Sequence, residues 1–189
     1  HYYITKSGKL IQMVPDLYVA WHAGKSKWGN HKSLNFKSIG IEISNPGHEY
    51  GYKAFTGNQI KCLIKLSKSI IKKYNIKKNK ILGHSDIAPL RKIDPGEKFP
   101  WKLLSKKKIG IWHKVNSNIL KSSRGKKSEL SLNKFIFYLK KLGYHMKYSN
   151  PNELKKIIKT FQMRFRPEII DGKLDSECYK IAKSLNNIK

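Results

Sequence analysis

Cysteine is nearly absent from this chain: its 189 residues include only Cys62 and Cys178. Neither cysteine belongs to a Cys-x-x-Cys pair, so the sequence indicates neither a thiolate metal site nor a dithiol redox centre. Cys62 falls within an apolar pattern of helical spacing and is interpreted as a small core residue. We expect no disulfide between the two cysteines.

Long hydrophobic runs are also missing. Although 39% of the residues are hydrophobic, which is enough for a core, no apolar run approaches the roughly 20 residues that cross a bilayer. The sequence therefore predicts no membrane-spanning helix, and its N-terminus does not resemble a signal peptide. Because the chain starts at His1 and not at methionine, we expect a processed or trimmed form. Its length suits one medium domain, or a domain of about 120 residues with a small module.

Acidic residues are scarce, with 12 Asp and Glu against 40 Lys and Arg, which gives a formal net charge of +28. One interpretation is attraction to a polyanion, such as nucleic acid, anionic lipid or an acidic cell-wall polymer. The other is a compositional bias that places lysine on solvated positions without a function. The lysines are spread along the chain and no nucleic-acid-binding motif accompanies them, so we do not expect nucleic-acid binding as the main role.

Residues 1–114 carry the patterns of a mixed α/β domain. Residues 1–4 and 9–14 are predicted to form two strands joined by a Ser-Gly turn. Residues 38–43 alternate as another strand, in which Gly40 allows a close approach to the backbone.

A helix follows these strands. Thr56 and Gln59 match a capping box, and apolar residues at helical spacing continue to Tyr74. Residues 80–82 are predicted to form a further short strand. The succession of strand, helix and strand indicates an α/β fold with a mixed central sheet flanked by helices.

The composition changes to Asn, Ser, Lys and Gly in residues 115–127, which is typical of a linker. This linker separates the α/β domain, 1–114, from a C-terminal part, 128–189. Three helices are predicted there, at 130–142, at 151–165 and at 175–185, and Gly143 ends the first of them as a C-cap. Since a domain of this size is marginal on its own, we predict a small three-helix domain that is tethered as a binding module.

The loop from Gly83 to Trp101 combines an imidazole, an ammonium and a carboxylate, which belong to His84, Lys92 and Asp94. Turns at its Pro and Gly residues can fold these groups onto one spot, and functional sites often lie on loops held by a rigid scaffold. The His-Asp spacing alone is weak support for zinc, because a zinc site needs three or four converging ligands.

Further motifs in register with this loop carry a resemblance to a known family. In chain order they are His1-Tyr2-Tyr3-Ile4, Gln12-Met13-Val14-Pro15, Ala20-Trp21-His22-Ala23-Gly24, Leu34-Asn35, Ser38-Ile39-Gly40-Ile41-Glu42, Gly83-His84-Ser85-Asp86-Ile87-Ala88-Pro89, Arg91-Lys92, Asp94-Pro95-Gly96 and Phe99-Pro100-Trp101. Together they resemble the zinc-dependent N-acetylmuramoyl-L-alanine amidases of the type-2 amidase family, which share their fold with the peptidoglycan recognition proteins. The C-terminal part is similar to the three-helix peptidoglycan-binding domain, through Leu142-Gly143-Tyr144, Phe161-Gln162, Phe165-Arg166-Pro167 and Asp171-Gly172.

The resemblance implies hydrolysis of the amide between N-acetylmuramic acid and the L-alanine of the peptidoglycan stem peptide. It implies that His84 and Asp94 are zinc ligands. It also implies that Glu42 is the acidic catalytic residue and that Lys92 is the cation beside the substrate carbonyl. The chemistry agrees, because a carboxylate at a strand end can move a proton from water to the leaving amine. An ammonium can stabilise the developing oxyanion.

Three further residues are candidates for substrate binding. Asn35 is a candidate hydrogen-bonding group. His22 either contacts sugar or peptide or packs beneath the site, and Trp21 either contacts the substrate or forms part of the wall. These alternatives stay open at the level of the sequence.

In the family, the third zinc ligand is a histidine in a strand upstream of the segment matched by residues 1–4, and His1 matches a structural histidine. The chain is then either part of a longer amidase or a shortened product that binds peptidoglycan with impaired catalysis. The implied cofactor is Zn²⁺. The implied partners are peptidoglycan and muropeptides, with anionic envelope polymers attracted by the positive charge. The implied location is the bacterial cell envelope, either periplasmic or associated with the outer membrane.

Overall fold

The computed structural model of the protein describes residues 1–126 and 132–188. Its strands are β1 (Tyr2–Ile4), β2 (Leu10–Gln12), β3 (Lys27–Trp28), β4 (His31–Lys32) and β5 (Ile41–Ile43). Its α-helices are α1 (Gly57–Tyr74), α2 (His84–Ile87), α3 (Trp101–Lys106), α4 (Ser117–Ser123), α5 (Leu132–Leu142), α6 (Pro151–Phe165) and α7 (Ser176–Leu185). Short 3₁₀ helices lie at Leu34–Phe36, His48–Tyr50 and Lys78–Lys80. None of the helices that these residues form is long and apolar enough to span a membrane.

A three-stranded mixed sheet organises the N-terminal part. β1 lies in the middle, antiparallel to β2 and parallel to β5, so that Tyr3 is opposite Ile11 on one side and Glu42 on the other. The predicted hairpin and the predicted α/β class are confirmed. The second edge of β5 pairs with no strand in the described part of the chain, and Glu42 on this strand lines a large cleft.

Helix α1 covers the sheet, and its first turn is the predicted capping box. Thr56 Oγ1 accepts a hydrogen bond from Gln59 N at 3.2 Å, and Gln59 Oε1 accepts one from Thr56 N at 2.9 Å. Loss of such a cap costs about 0.5–2 kcal/mol. The buried core formed by the sheet, α1 and the segment after residue 98 comprises Tyr2, Ile4, Leu63, Leu66, Ile70, Phe99, Trp101, Leu104 and Ile109. The helix ends at Tyr74, as predicted.

The short strand predicted at residues 80–82 is wrong. Lys80 ends a 3₁₀ helix, and Ile81 is extended but belongs to no strand. The carbonyl oxygen of Ile81 accepts a hydrogen bond from Arg164 Nη2 at 2.9 Å. A side chain of α6 thus satisfies a backbone group that a neighbouring strand would otherwise bind, and the local pattern gives no sign of this long-range contact.

The predicted linker at 115–127 contains helix α4. Asn116 caps this helix, because its Oδ1 accepts a hydrogen bond from Asn118 N at 2.8 Å. The Asn- and Ser-rich composition that indicated a linker therefore supplies a helix cap, and α4 lies against α7. Residue 127 lies outside the described residues. The limits of the two domains stay a prediction.

The three helices predicted for the C-terminal part are confirmed as α5, α6 and α7, although residues 130 and 131 of the first lie outside the described residues. Gly143 follows α5 with a φ of 123°, in a conformation that side chains rarely adopt. A Cβ atom at this position would lie 2.5 Å from Cε2 of Trp28. Glycine is therefore required both to end the helix and to admit the indole ring.

The C-terminal helices share a continuous core with the N-terminal part. The rings of Trp28 and Tyr144 pack edge to face with their centroids 4.8 Å apart, and Gly29 N donates to Gly143 O at 2.7 Å. The buried members of this core are Ala23, Trp28, Leu34, Ile111, Phe135, Leu139, Tyr144, Ile157, Ile158, Phe161, Phe165, Cys178, Ile181, Ala182 and Leu185. The described C-terminal helices are thus packed onto the α/β part.

Arg166 anchors a buried network of ion pairs within the C-terminal helices. Its side chain is 1% exposed. Nη1 donates to Asp175 Oδ2 at 2.5 Å and to Glu177 Oε2 at 3.5 Å, and Nη2 donates to Asp171 Oδ1 at 3.0 Å. Arg124 binds both carboxylate oxygens of Glu177 at 2.8 Å. Because buried charges must be paired to be tolerated, the network ties α4, α6 and α7 together.

His113 is an imidazole held at the junction of the two parts. Its ring centroid lies 5.0 Å from that of Trp112, and Nδ1 is buried without a hydrogen-bond partner among the described residues. Burial lowers the pKa of His113 to about 4, and the positive charge of Lys102 acts in the same direction. The neutral ring is therefore the form that the folded chain accommodates.

We expect this ring to make stability depend on pH. Imidazole in the unfolded chain titrates near about pH 6.5, so unfolding takes up a proton between about pH 6.5 and 4, and stability falls as the pH falls through this range. The variant His113→Gln should lose part of this dependence, as measured by urea unfolding at about pH 7 and 4.5. His31→Gln, at an exposed position of β4, is the matched control and should keep it. An identical pH dependence in native protein and His113→Gln would contradict the buried neutral ring.

Candidate active site

A cleft of about 1040 Å³ runs along the free edge of β5 and past the loop that follows Gly83. Its lining includes all four side chains that were predicted to carry chemistry, namely Glu42, His84, Lys92 and Asp94. Ligand sites are typically concave, largely apolar and equipped with a few convergent polar groups. The cleft is therefore the candidate active site.

His84 and Asp94 meet at one wall of the cleft. His84 Nδ1 lies 3.1 Å from Asp94 Oδ2, and His84 Nε2 lies 3.1 Å from the carbonyl oxygen of Ala23. The His84 side chain is 16% exposed, whereas that of Asp94 is 55% exposed. Both ring nitrogens thus face oxygen acceptors, and one of them must give up its hydrogen bond if His84 is to bind a metal ion.

The turns that carry these two residues are tied to each other. Gly83 N donates to Asp86 Oδ2 at 2.7 Å, which closes the first turn of α2. Ser85 N donates to the backbone oxygen of Asp94 at 2.9 Å. On the other side, Tyr52 Oη donates to Pro95 O at 2.6 Å. The backbone around His84 and Asp94 is therefore fixed before any ligand arrives.

Neighbouring charges keep Asp94 ionised. Desolvation by the surrounding protein would raise the pKa of Asp94, but the hydrogen bond from His84 and the electrostatic interactions with His84 and Lys92 outweigh it. The pKa of Asp94 consequently lies below its ordinary value. Asp94 is a carboxylate near neutral pH, which is the form that binds cations.

The spacing of His84 and Asp94 suits a shared zinc ion. Two ligand atoms that each lie about 2.0–2.1 Å from a tetrahedral zinc ion are about 3.3 Å from each other, and 3.1 Å separates Nδ1 from Oδ2. Catalytic zinc sites use about three protein ligands. In residues 1–126 and 132–188, no three His, Cys, Asp or Glu side chains are grouped to hold a metal. The pair therefore fits two ligand positions, and a third does not come from the described residues.

Glu42 and Lys92 face the same cleft. Glu42 lies on β5, where its pairing with Tyr3 of β1 fixes its position, and its side chain is exposed. It makes no hydrogen bond or ion pair with another side chain of the described residues, so the carboxylate is available to accept a proton. Lys92 is half-buried beside Asp94, and its backbone N donates to Ala88 O at 2.9 Å.

The structure places Asn35 and His22 differently. Asn35 is buried outside the cleft lining, and its Oδ1 accepts hydrogen bonds from His22 N at 3.1 Å and Ala23 N at 2.7 Å. His22 lines the cleft, and its ring packs so closely on Gly40 that a Cβ there would lie 2.3 Å from His22 Cγ. The predicted close approach at Gly40 is confirmed. Burial lowers the pKa of His22, so that its ring is neutral near pH 7.

Trp21 and His1 differ in their exposure and in their relation to the cleft. Trp21 lies at the rim of the cleft and is 80% exposed. Among the ring pairs of the described residues, it contacts only Phe36, edge to face, with a centroid distance of 5.7 Å. His1 is buried, its Nδ1 accepts from Gly40 N at 3.1 Å, and its Nε2 donates to Tyr18 O at 3.0 Å. Both ring nitrogens of His1 are thus engaged by the backbone, which agrees with the structural role expected of it.

A profile of the family Amidase_2, described as N-acetylmuramoyl-L-alanine amidase, matches residues 1–97, about half of the chain and most of the cleft. The chain belongs to this family of N-acetylmuramoyl-L-alanine amidases. The predicted membership of the type-2 amidases is therefore confirmed.

Relatives of this amidase resemble it over most of its length. The N-acetylmuramoyl-L-alanine amidase AmiD of Escherichia coli K12 is 38% identical over 184 residues, which cover 94% of this chain and 67% of AmiD. The structure of E. coli AmiD with anhydro-N-acetylmuramic acid-L-Ala-D-γ-Glu-L-Lys superposes with a TM-score of 0.87 at 35% identity, over 98% of this chain and 77% of the other. The complex of Pseudomonas aeruginosa AmpDh3 with anhydromuramic pentapeptide gives a TM-score of 0.84 at 32% identity, over 94% and 72%. The likeness therefore includes the C-terminal helices.

Two supporting residues of this amidase cleft were not singled out from the sequence. Arg91 Nη2 donates to Ala23 O at 2.9 Å and to Lys25 O at 3.2 Å, and it lies 3.5 Å from His84 Nε2. Arg91 stands in the Arg91-Lys92 motif, which was a usable signal. No sequence signal marked Tyr52, because its hydrogen bond to Pro95 joins positions 43 residues apart.

Proposed function

We propose that this chain is a zinc-dependent amidase that cleaves the bond between N-acetylmuramic acid and the L-alanine of peptidoglycan stem peptides. One observation carries the proposal: Glu42, His84, Lys92 and Asp94 line a single cleft in a chain 38% identical to AmiD. The substrate class is supported by E. coli AmiD and P. aeruginosa AmpDh3, which were both solved with anhydro-muramyl peptides.

Each of the four residues has a role in the proposed hydrolysis. His84 and Asp94 would hold zinc, which when bound lowers the pKa of water and polarises a carbonyl. Glu42 takes a proton from the attacking water and gives it to the amide nitrogen as the C–N bond breaks. Lys92 stabilises the negative charge that develops on the carbonyl oxygen. The products are the carboxylate of the muramic acid and a stem peptide with a free amine.

Substrate binding is assigned to three residues. The neutral ring of His22 lines the cleft, and the exposed face of Trp21 stands at its rim. We assign direct contact to both of them. Asn35 is buried and acts through the backbone of His22, which it holds by a hydrogen bond of 3.1 Å.

The location and the wider partners follow from the substrate. We propose that this enzyme works in the cell envelope, in the periplasm or at the outer membrane, where intact peptidoglycan lies. The net charge of +28 would attract acidic envelope polymers. Helices α5, α6 and α7 pack against the cleft-bearing part and would add surface for the same polymer.

The proposal predicts zinc-dependent release of stem peptide. Purified protein incubated with muropeptides and zinc should yield free stem peptide and the corresponding muramic acid, detected by mass spectrometry. A chelator should abolish this release, and added zinc should restore it. Release that persists after zinc has been removed would contradict zinc dependence. No release from protein that carries one zinc ion per chain would contradict the amidase proposal.

A second candidate function is binding of peptidoglycan without cleavage. It is favoured by one observation, that no three potential metal ligands are grouped within the described residues. In that case the protein should sediment with insoluble sacculi, contain no zinc by metal analysis and release no peptide. Tight stoichiometric zinc would count against this candidate.

A further inference from the structure

A buried cluster of polar side chains joins the C-terminal helices to the turn that carries His84. Asp86 is 1% exposed, Arg164 3% and Tyr144 3%. Tyr144 Oη donates to Asp86 Oδ1 at 2.5 Å, and Arg164 Nη1 donates to Asp86 Oδ2. Helix α6 and the segment after α5 thus each place one donor on a carboxylate of α2.

This carboxylate also determines the shape of the turn. Asp86 Oδ2 accepts a third hydrogen bond, from Gly83 N at 2.7 Å, which closes the start of α2. Arg164 reaches the chain before the turn as well, because its Nη2 donates to Ile81 O at 2.9 Å. The guanidinium of Arg164 therefore holds the segment on both sides of Gly83. A buried carboxylate without such donors would be strongly unfavourable.

The two donors are themselves held firmly. The guanidinium of Arg164 lies over the ring of Trp101, 4.1 Å from its centroid, where a cation is attracted to the aromatic face. The ring of Tyr144 packs edge to face on Trp28. Burial, together with the charge of Asp86, raises the pKa of Tyr144 well above its ordinary value, so that the phenol stays a donor at physiological pH.

Helix α2 has little stability of its own. It contains four residues, fewer than an isolated helix needs in water, and His84 is its first residue. Its direction is fixed by what it contacts, and two of the three hydrogen bonds at Asp86 come from the other half of the chain.

We propose that Arg164 and Tyr144 are positioning residues for the amidase reaction, and that the C-terminal helices hold His84 against Asp94 by binding Asp86. This inference rests on the proposed function, in which His84 and Asp94 bind zinc. Without the two donors the carboxylate of Asp86 would turn towards water. The distance of 3.1 Å between His84 Nδ1 and Asp94 Oδ2 would then no longer be fixed before zinc binds.

Tyr144→Phe tests this inference, because it removes one hydroxyl group and keeps the ring in the core. Amide hydrogen exchange of residues 83–88, measured by mass spectrometry on the full chain without zinc, should become about tenfold faster, the effect of losing one hydrogen bond to a charged group. Tyr138→Phe is the matched control. Its hydroxyl group contacts that of Tyr179 at 3.4 Å, away from the turn, so exchange at 83–88 should keep its native rate.

Arg164→Lys provides a second variant that keeps the charge but cannot bind Asp86 and Ile81 together. It should also accelerate exchange at 83–88. The zinc affinity of Tyr144→Phe and of Arg164→Lys, measured by competition with a chromophoric chelator, should be about tenfold lower than that of the native protein. The zinc affinity of Tyr138→Phe should equal that of the native protein.

The outcomes separate this inference from the proposed function. Exchange at 83–88 that is the same in Tyr144→Phe, Arg164→Lys and Tyr138→Phe would overturn the positioning role, whether or not the native protein cleaves muropeptides. Faster exchange in the first two variants supports the positioning role. If the native protein then releases no peptide, the proposed function fails while the attachment of the turn to the C-terminal helices stands.

Discussion

Replacing Glu42 by alanine is expected to lower the rate of stem-peptide release about 100- to 10,000-fold, the usual range for loss of a general acid–base. The carboxylate lines the cleft with His84 and Asp94 and is not engaged by another side chain of the described residues. Because Glu42 acts on the proton in the transition state, kcat should fall while KM changes little. The measurement is the rate of release from a muropeptide at saturating zinc, followed by chromatography and mass spectrometry.

Glu49→Ala is the control for this prediction. Glu49 is another exposed glutamate, in the 3₁₀ helix His48–Tyr50, and does not itself line the cleft, so the same charge is removed at a different place. Its variant should cleave at the native rate. If Glu42→Ala also cleaves at the native rate, Glu42 is not the catalytic carboxylate.

Replacing Arg166 by methionine is expected to lower the free energy of unfolding by about 3–5 kcal/mol, the cost of removing one partner of a buried ion pair. The substitution leaves Asp175 and Glu177 in the core with one cation fewer, and both are nearly inaccessible to water. Methionine preserves much of the side-chain volume, so that the change reports on charge more than on a cavity. Urea unfolding followed by circular dichroism gives the free energy.

Lys73→Met is the matched control for the loss of a cation. Lys73 pairs with Asp16 at 3.0 Å, but its side chain is 62% exposed, and surface ion pairs contribute little to stability. Its unfolding curve should lie close to that of the native protein. Equal effects of the two substitutions would show that the Arg166 network does not hold the C-terminal helices together.

Local features of the fold could be predicted because short stretches of sequence determine them. The capping box at Thr56 and the glycine after α5 were both read correctly, since each depends on residues within one turn. Helix α4 was missed because an Asn- and Ser-rich stretch favours caps and linkers alike. The strand predicted at 80–82 was wrong because the carbonyl of Ile81 binds Arg164, which is 83 residues away.

The candidate site, like the fold, could be predicted from the sequence only where its residues lie close together in the chain. Residues on one loop, such as His84 and Asp94, stand in a recognisable order, and the structure brings them within 3.1 Å. What surrounds them was not predictable, because Tyr52 and Arg164 reach the loop from distant positions without periodicity or spacing that marks them. The roles of the four cleft residues stay predictions until the variants are measured.

The core that runs from Trp28 to Phe161 has a consequence for engineering this enzyme. One way to engineer a cell-wall hydrolase is to remove its wall-binding segment and to fuse another segment in its place. Here a cut within residues 115–127 would leave the indole of Trp28 in water and strip the donors from Asp86. Any replacement segment must therefore supply an aromatic ring that packs on Trp28 and an arginine that binds Asp86 before the hybrid enzyme can work.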